Sequence, residues 1–236
     1  MREKVLNHLG CELKKLFGQI YEENNSEEFY IANTSSIARR ALMNLSLKYL
    51  VRTGDEYWIK KAYEQFNLST NMTDQSAALK YLVNSVTELG ENLGQKALGS
   101  FYKQWQNEPL VVDMWFLVQA TCQVPGAIDR VKILMKHQAF DIKNPNKVRS
   151  LIGGFCGQNH IGFHAENGEG YEFLADRVLE LDKLNPQIAA RLLTPLTRWK
   201  KYNTTRQALM QAQLQRIKSN TDISKDVFEV VEKSTI

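Results

Sequence analysis

Apolar residues recur at three- and four-residue steps along most of the chain, the spacing that lines one face of an α-helix. Val5, Leu6, Leu9, Leu13, Leu16, Phe17 and Ile20 set this rhythm at the start and predict a first helix over 3–21. A polar connection, ENNSEE (23–28), follows. Ile37, Ala41, Leu42, Leu45 and Tyr49 then predict a second helix, with Asn33, Thr34 and Ser35 as cap candidates and Gly54 as its stop. Further helices are predicted over 55–66, 74–89 (capped by Thr73), 92–105, 109–121 and 127–137, with Pro125-Gly126 as punctuation. Two pairs close the chain, 171–184 with 186–201 and 203–219 with 222–233. No stretch sustains the alternation and β-branched enrichment of a strand. The expectation is therefore all-α: about twelve helices stacked as hairpins in an ARM/HEAT-like α-solenoid or superhelix, forming one helical domain over 1–236. No fixed period marks a consensus repeat, but a helical hairpin buries its apolar stripe only by stacking on neighbours, and a degenerate solenoid does that.

The least generic part of this pattern is 144–201. Two helix starts there carry the same device, Asn144-Pro145 and Asn185-Pro186. Asn accepts a bond from a free amide of the first turn, and Pro at the first helical position loses no bond by lacking its N–H. Between them lies a glycine-dense stretch, 153–170, that holds His160 and His164. Pro195 falls inside a helical pattern and is expected to bend or open it, because it removes a backbone bond.

The runs NPNKVRSLIGGF (144–155), FHAENGEGYEFL (163–174) and NPQIAARLLTPLTRWKKYN (185–203), with NMTDQSAAL (71–79) and LVVDMWFLVQAT (110–121) upstream, resemble the C-terminal domain of the bacterial aminopeptidase N family of zinc gluzincin peptidases. The resemblance covers nearly the whole chain. It implies a fragment of a larger enzyme that removes N-terminal amino acids from peptides, with the zinc and the catalytic domain outside this chain. The helical domain of that family closes over the zinc-bearing domain. Residues at the positions of Arg149, Gln187 and Arg191 line the cavity where peptides or amino acids lie. The partners so implied are the catalytic domain of the same polypeptide and, in the parent, peptide substrates. The chain by itself is expected to hold no cofactor and to be inactive. The other reading is a free-standing α-solenoid scaffold that binds a protein or peptide.

Composition narrows the remaining chemistry. A hydrophobic share of 43% and a charged share of 24% are ordinary for a soluble globular protein. No apolar run approaches the roughly 18 residues of a membrane span, and MREKVLNHLGCELKKLF lacks the apolar core of a secretory leader. Cys11, Cys122 and Cys156 are widely spaced and form no CxxC, which predicts free thiols and a cytoplasmic setting. Residues 129–218 hold 15 Lys or Arg against 8 Asp or Glu. These cations are scattered singly along helices, which fits a solvated or partner-facing surface and not a nucleic-acid interface. His160 and His164 have the spacing of an H-E-x-x-H zinc pair, but Ile161 stands at the Glu position and Gly162 between them, and Lys183 occupies the place of the family's third ligand. His164 is expected to hydrogen-bond within its loop. Glu166, Glu169 and Glu172 read as solvated loop charges.

Overall fold

A computed structural model describes residues 2–25 and 31–235; part of the ENNSEE connection lies outside these. Among the described residues every regular element is helical, and the ordered pieces fall into two compact units, Met1–Gln106 and Asn107–Ile236. The structure has sixteen α-helical segments among the described residues, close to the count of about twelve read from periodicity, the excess coming from patterns broken into short helices.

The first unit contains α1 (Arg2–Glu12), α2 (Lys14–Asn24), α3 (Thr34–Arg52), α4 (Glu56–Leu68), α5 (Met72–Val83) and α6 (Glu88–Trp105). The predicted first helix is interrupted only at Leu13, whose amide still donates to Leu9 O at 3.0 Å while its carbonyl accepts from Phe17 N at 2.8 Å. Asn33 and Asp55 cap α3 and α4 by accepting from the amides of Ser36 and Tyr57. The predicted 74–89 helix is two-part. Asn71, not Thr73, caps α5, which ends at Val83, and Thr87 caps α6 by accepting from Gly90 N. Here α2 packs on α3, α4 on α5, and α5 on α6.

A buried polar network ties these helices together. The Asn44 amide donates to Asp74 Oδ1 at 2.6 Å, and Gln65 Nε2 donates to Asn44 Oδ1 at 2.8 Å and to Asp74 O at 3.0 Å. Tyr21 Oη closes the chain by donating to Gln65 Oε1 at 3.2 Å. Burial pushes the Tyr21 hydroxyl well above its usual range, so it remains a donor. Each member has a partner, which is what allows polar groups into a core filled by Leu47, Leu50, Ile59, Phe66, Leu79 and Phe101.

The second unit contains α7 (Pro109–Ala120), α8 (Ala127–Leu134), α9 (Pro145–Val148), a π-helical turn (Arg149–Gly153), α10 (Gly154–Gln158), α11 (His160–Phe163), α12 (Glu169–Asp182), α13 (Pro186–Leu192), α14 (Thr194–Thr197), a 3₁₀ turn (Trp199–Lys201), α15 (Thr204–Lys218) and α16 (Lys225–Thr235). Both Asn-Pro starts are caps: Asn144 accepts from Asn146 N and Asn185 from Ile188 N. Pro195 does break its helix, into α13 and α14. The glycine-dense stretch is mostly short helices and not an open loop, because its glycines admit close packing. Two ties bind the unit's ends. Lys147 Nζ lies 2.7 Å from Asp113 Oδ1 and donates to Pro109 O at 3.1 Å; Asp182 accepts from the Ser224 amide at 2.7 Å.

Gly170 shows the packing limit most sharply: a Cβ there would sit 2.2 Å from the carbonyl oxygen of Phe163. Gly99, in the interior of α6, has nothing within 4 Å of that position. Gly170→Ala is expected to lower stability by about 2 kcal/mol or more, while Gly99→Ala raises it by about 0.5–1 kcal/mol. Urea denaturation of the two variants checks this; equal effects would contradict the contact.

Candidate functional site

The second unit holds a pocket of about 320 Å³. One wall is the π turn and α10, through Arg149, Gly153, Cys156 and Gly157; the facing wall is α13 and α14, through Ile188, Arg191, Leu192, Thr194, Pro195 and Arg198; His160, His164 and Tyr202 complete it. A π turn widens the backbone by one residue and is often found where a helix serves a site. Here it lies between the Asn144 cap and α10 and carries Arg149 at its first position.

The facing wall follows helical spacing. Arg191, Thr194, Pro195 and Arg198 stand three and four residues apart, so they share a face even though the helix breaks at Leu193. Of the residues expected at a site, Arg149 and Arg191 are brought to this one pocket. Gln187 is not: it is exposed on the first turn of α13 outside the lining, where Ile188 lines the pocket instead. Arg198 was missed by the motif reading, though its place seven residues after Arg191 was the available signal.

The floor is apolar, formed by Val148, Ile188, Leu192 and Pro195. Cys156 is buried, and burial raises its thiol well above the usual range, so it is an inert apolar group there and not a nucleophile. No Asp or Glu lines the pocket. Arg149 donates to Asn146 Oδ1 at 3.3 Å, and Arg191 and Arg198 make no side-chain hydrogen bond or ion pair among the described residues. Three solvent-exposed arginines, permanently charged and with no carboxylate in the lining, thus border one apolar-floored pocket.

His164 anchors the end of it. Its Nδ1 lies 2.9 Å from Tyr171 Oη and its Nε2 2.8 Å from Tyr202 Oη, with the Tyr202 ring stacked at 4.3 Å. Its carbonyl accepts from Arg206 Nε at 3.0 Å. These partners lie in or beside the flanking helices and not in the loop itself. Burial first, then the nearby His160 and Arg206, push the His164 pKa down to about 4, so it is neutral at pH 7. His160 stacks on it at 6.1 Å. With both His164 nitrogens facing tyrosine hydroxyls, the pair offers no metal ligand set, and no cluster of three or more His, Cys, Asp or Glu among the described residues is placed to hold an ion.

Asn159 sets this turn. It is fully buried, and its side-chain amide donates to Ala120 O at 3.0 Å and Cys122 O at 2.7 Å while Oδ1 accepts from Gly162 N at 3.0 Å. It thereby caps α11 and satisfies carbonyls at the end of α7. Next to it, Gly154 lets α10 approach α7: a Cβ there would meet Leu117 Cδ1 at 2.8 Å.

Comparison with known proteins places the chain. A family model described as a domain of unknown function, DUF3458_C, with ARM repeats, matches residues 1–235. The chain belongs to the DUF3458_C family. This DUF3458_C chain is 36% identical over 234 residues to aminopeptidase N of Escherichia coli (strain K12), matching 99% of this chain and 26% of that protein. The aminopeptidase N of Caulobacter vibrioides matches with the same identity and coverage. Among solved structures, the crystal structure of Legionella pneumophila aminopeptidase A in complex with aspartic acid aligns with a TM-score of 0.88 at 35% identity, over 99% of this chain and 28% of that one. The chain thus spans about a quarter of the length of the curated relatives it matches. The ARM-repeat description agrees with the solenoid of stacked helices read from the sequence.

Two outcomes test the site's construction. Asn159→Leu should cost about 1–3 kcal/mol, since the two buried carbonyls and the part-buried Gly162 amide lose its side chain as partner; equal denaturation midpoints for variant and wild type would contradict it. His164 has a folded pKa below its unfolded value of about 6.5, so its contribution is complete above pH 6.5 and is lost as pH falls toward 4. The melting temperature should fall across that window, and His164→Gln should flatten the fall. An unchanged slope would remove His164 from this role.

Proposed function

We propose that this chain is the C-terminal helical part of a zinc-dependent, aminopeptidase N-like enzyme that removes N-terminal amino acids from peptides. Its role there is to cap the active-site cavity and control substrate access. The observation that carries this reading is the 36% identity sustained over 99% of the chain, confined to about a quarter of each aminopeptidase N. The pocket's chemistry supports it, because guanidiniums can fork onto a peptide carboxylate. Arg149 and Arg191 line the cavity on the substrate side in this proposal, and Gln187, exposed one turn before Arg191, faces the same substrates from outside the pocket. Partners are the catalytic domain of the same polypeptide and peptide substrates, with no nucleic acid and no membrane. The setting proposed is the cytoplasm; among the described residues no helix is long and apolar enough to cross a membrane.

The zinc belongs, in this reading, to the catalytic domain. Zinc there would polarise the scissile carbonyl and activate water. The residues of this chain do not fit that ion, since both His164 nitrogens are occupied by Tyr171 and Tyr202 and Lys183 is a cation. What this chain's residues do is shape and charge the wall that a substrate passes.

In the full-length enzyme, Arg191→Ala should raise KM about tenfold or more with zinc content unchanged. Loss of metal, or an unchanged KM and specificity, would contradict the role. The purified chain alone should not hydrolyse amino-acid anilides; zinc-dependent turnover by it would overturn the assignment.

A further inference from the structure

The geometry points to an apolar docking face on α1, α2 and α3, and to its occupant: a further helical hairpin of the same polypeptide, preceding residue 1 in the parent enzyme. This occupant rests on the reading above, which takes the chain as part of a longer protein.

The three helices are apolar on two sides. Inward, Gly10 lies against α3, where a Cβ would meet Tyr49 O at 2.7 Å, and Phe17 stacks on Tyr49 at 4.6 Å. Outward, Val5, Leu9, Leu13 and Leu16 recur at helical steps and are 37–50% exposed. On α3, Met43, Leu47, Leu50 and Val51 are buried, while Ile37, Leu42 and Leu45 are 46–56% exposed. A helix that is apolar on both sides belongs inside a core and not at its edge.

The two outer stripes share one side. Gly18 faces Trp58 of α4, where a Cβ would meet that ring at 2.9 Å. Leu16, two residues earlier, is turned about 200° away from it. Asn44 reaches Asp74 of α5, and Leu42, two residues earlier, is again turned about 200° away. Since α2 packs on α3, both stripes look away from α4 and α5 and form one two-helix surface. Contiguous exposed apolar surface of this kind marks a contact with protein.

Three observations name the occupant. The covered side of α2 and α3 is filled by a helix pair, α4 and α5, and the groove between two helices takes the ridges of others. A stack of helical repeats needs a polar outer side where it stops. The last pair, α15 and α16, has one: Gln211, Gln215, Arg216, Lys225 and Glu229 are exposed, and Phe228 is the one exposed large apolar side chain among their described residues. The α1–α3 face has no such side. Finally, the chain covers 26% of the aminopeptidase N of Escherichia coli, so a parent of that length has ample polypeptide for another helix pair. ARM repeats bury each hairpin on its neighbours in the same chain, which favours that pair over a second copy.

The test compares the 236-residue chain with the full-length parent. Leu16→Cys and Leu42→Cys are introduced singly; both side chains are exposed in the chain, so its core is spared. Alkylation by iodoacetamide in dilute solution is followed at each site by mass spectrometry. Both sites should react about a hundredfold or more slowly in the parent, where reaction waits on local opening. A 4-benzoylphenylalanine placed at position 42 of the parent should crosslink, within one molecule, to the helical segment next upstream of residue 1. Equal alkylation rates in the two proteins would overturn the proposal. So would a crosslink to the zinc-bearing domain, or one between two copies, seen as a doubled mass on a denaturing gel. Hydrolysis of an amino-acid anilide is read on the same parent samples. Protection and the upstream crosslink without zinc-dependent turnover would remove the peptidase reading and keep the docking face; turnover with a freely alkylated face would do the reverse.

Discussion

The second unit depends on one buried amide. Asn159 sits where α7 ends and a tight helical turn begins, and both places leave backbone groups without partners. Its side chain satisfies Ala120 O, Cys122 O and Gly162 N together. Leaving any of these unpaired away from water would cost about as much as a hydrogen bond. The site therefore accepts only a side chain with a donor pair and an acceptor at that reach. Once it is in place, α10 is held against α7 across Gly154, α11 is held as a turn, and His160 and His164 are presented to the pocket.

From there the pocket is a consequence of local breaks and not of regular helices. The π turn gives Arg149 its place, Pro195 divides the facing wall, and the 3₁₀ turn brings Tyr202 back onto His164. Regular helices pack their apolar stripes and close up; a concave surface needs some backbone that does not. Other arginines of the unit have acidic partners: Arg177 pairs with Glu180 along α12, Arg216 of α15 with Asp176 of α12, and Arg206 with Glu166 in the turn before α12. Arg191 and Arg198 are exposed at the interrupted wall, which faces a cavity without acids.

Much of this was legible in the sequence. The all-helical class followed from periodicity, and the Asn-Pro caps and the Pro195 break followed from local rules that act within four residues. Arg149 and Arg191 could be singled out from motif resemblance, and they do share a pocket. Other features were hidden, for identifiable reasons. The extra helices arise because a broken helix keeps the apolar spacing of an unbroken one. Thr73 is an acceptable cap on paper, but Asn71, two residues earlier, is the residue whose side chain accepts from Asp74 N and caps α5. Gln187 is one residue from the lining, a difference of about 100° around a helix that spacing alone does not resolve without knowing which face is buried. Asn159 could not be found, since its partners lie 37 and 39 residues earlier in the chain. Arg198 was within reach, as the position seven residues beyond Arg191 on the same face.

The claim that matters most for function is that the pocket-bearing face of the second unit looks onto the substrate of a larger peptidase. A crystal structure of the full-length protein with a bound peptide product tests it most directly. The account predicts the guanidiniums of Arg191 and Arg149 on the side of the cavity that holds the peptide, with at least one within hydrogen-bond distance of its carboxylate. A structure in which both point into bulk solvent, away from the metal and the peptide, would contradict it.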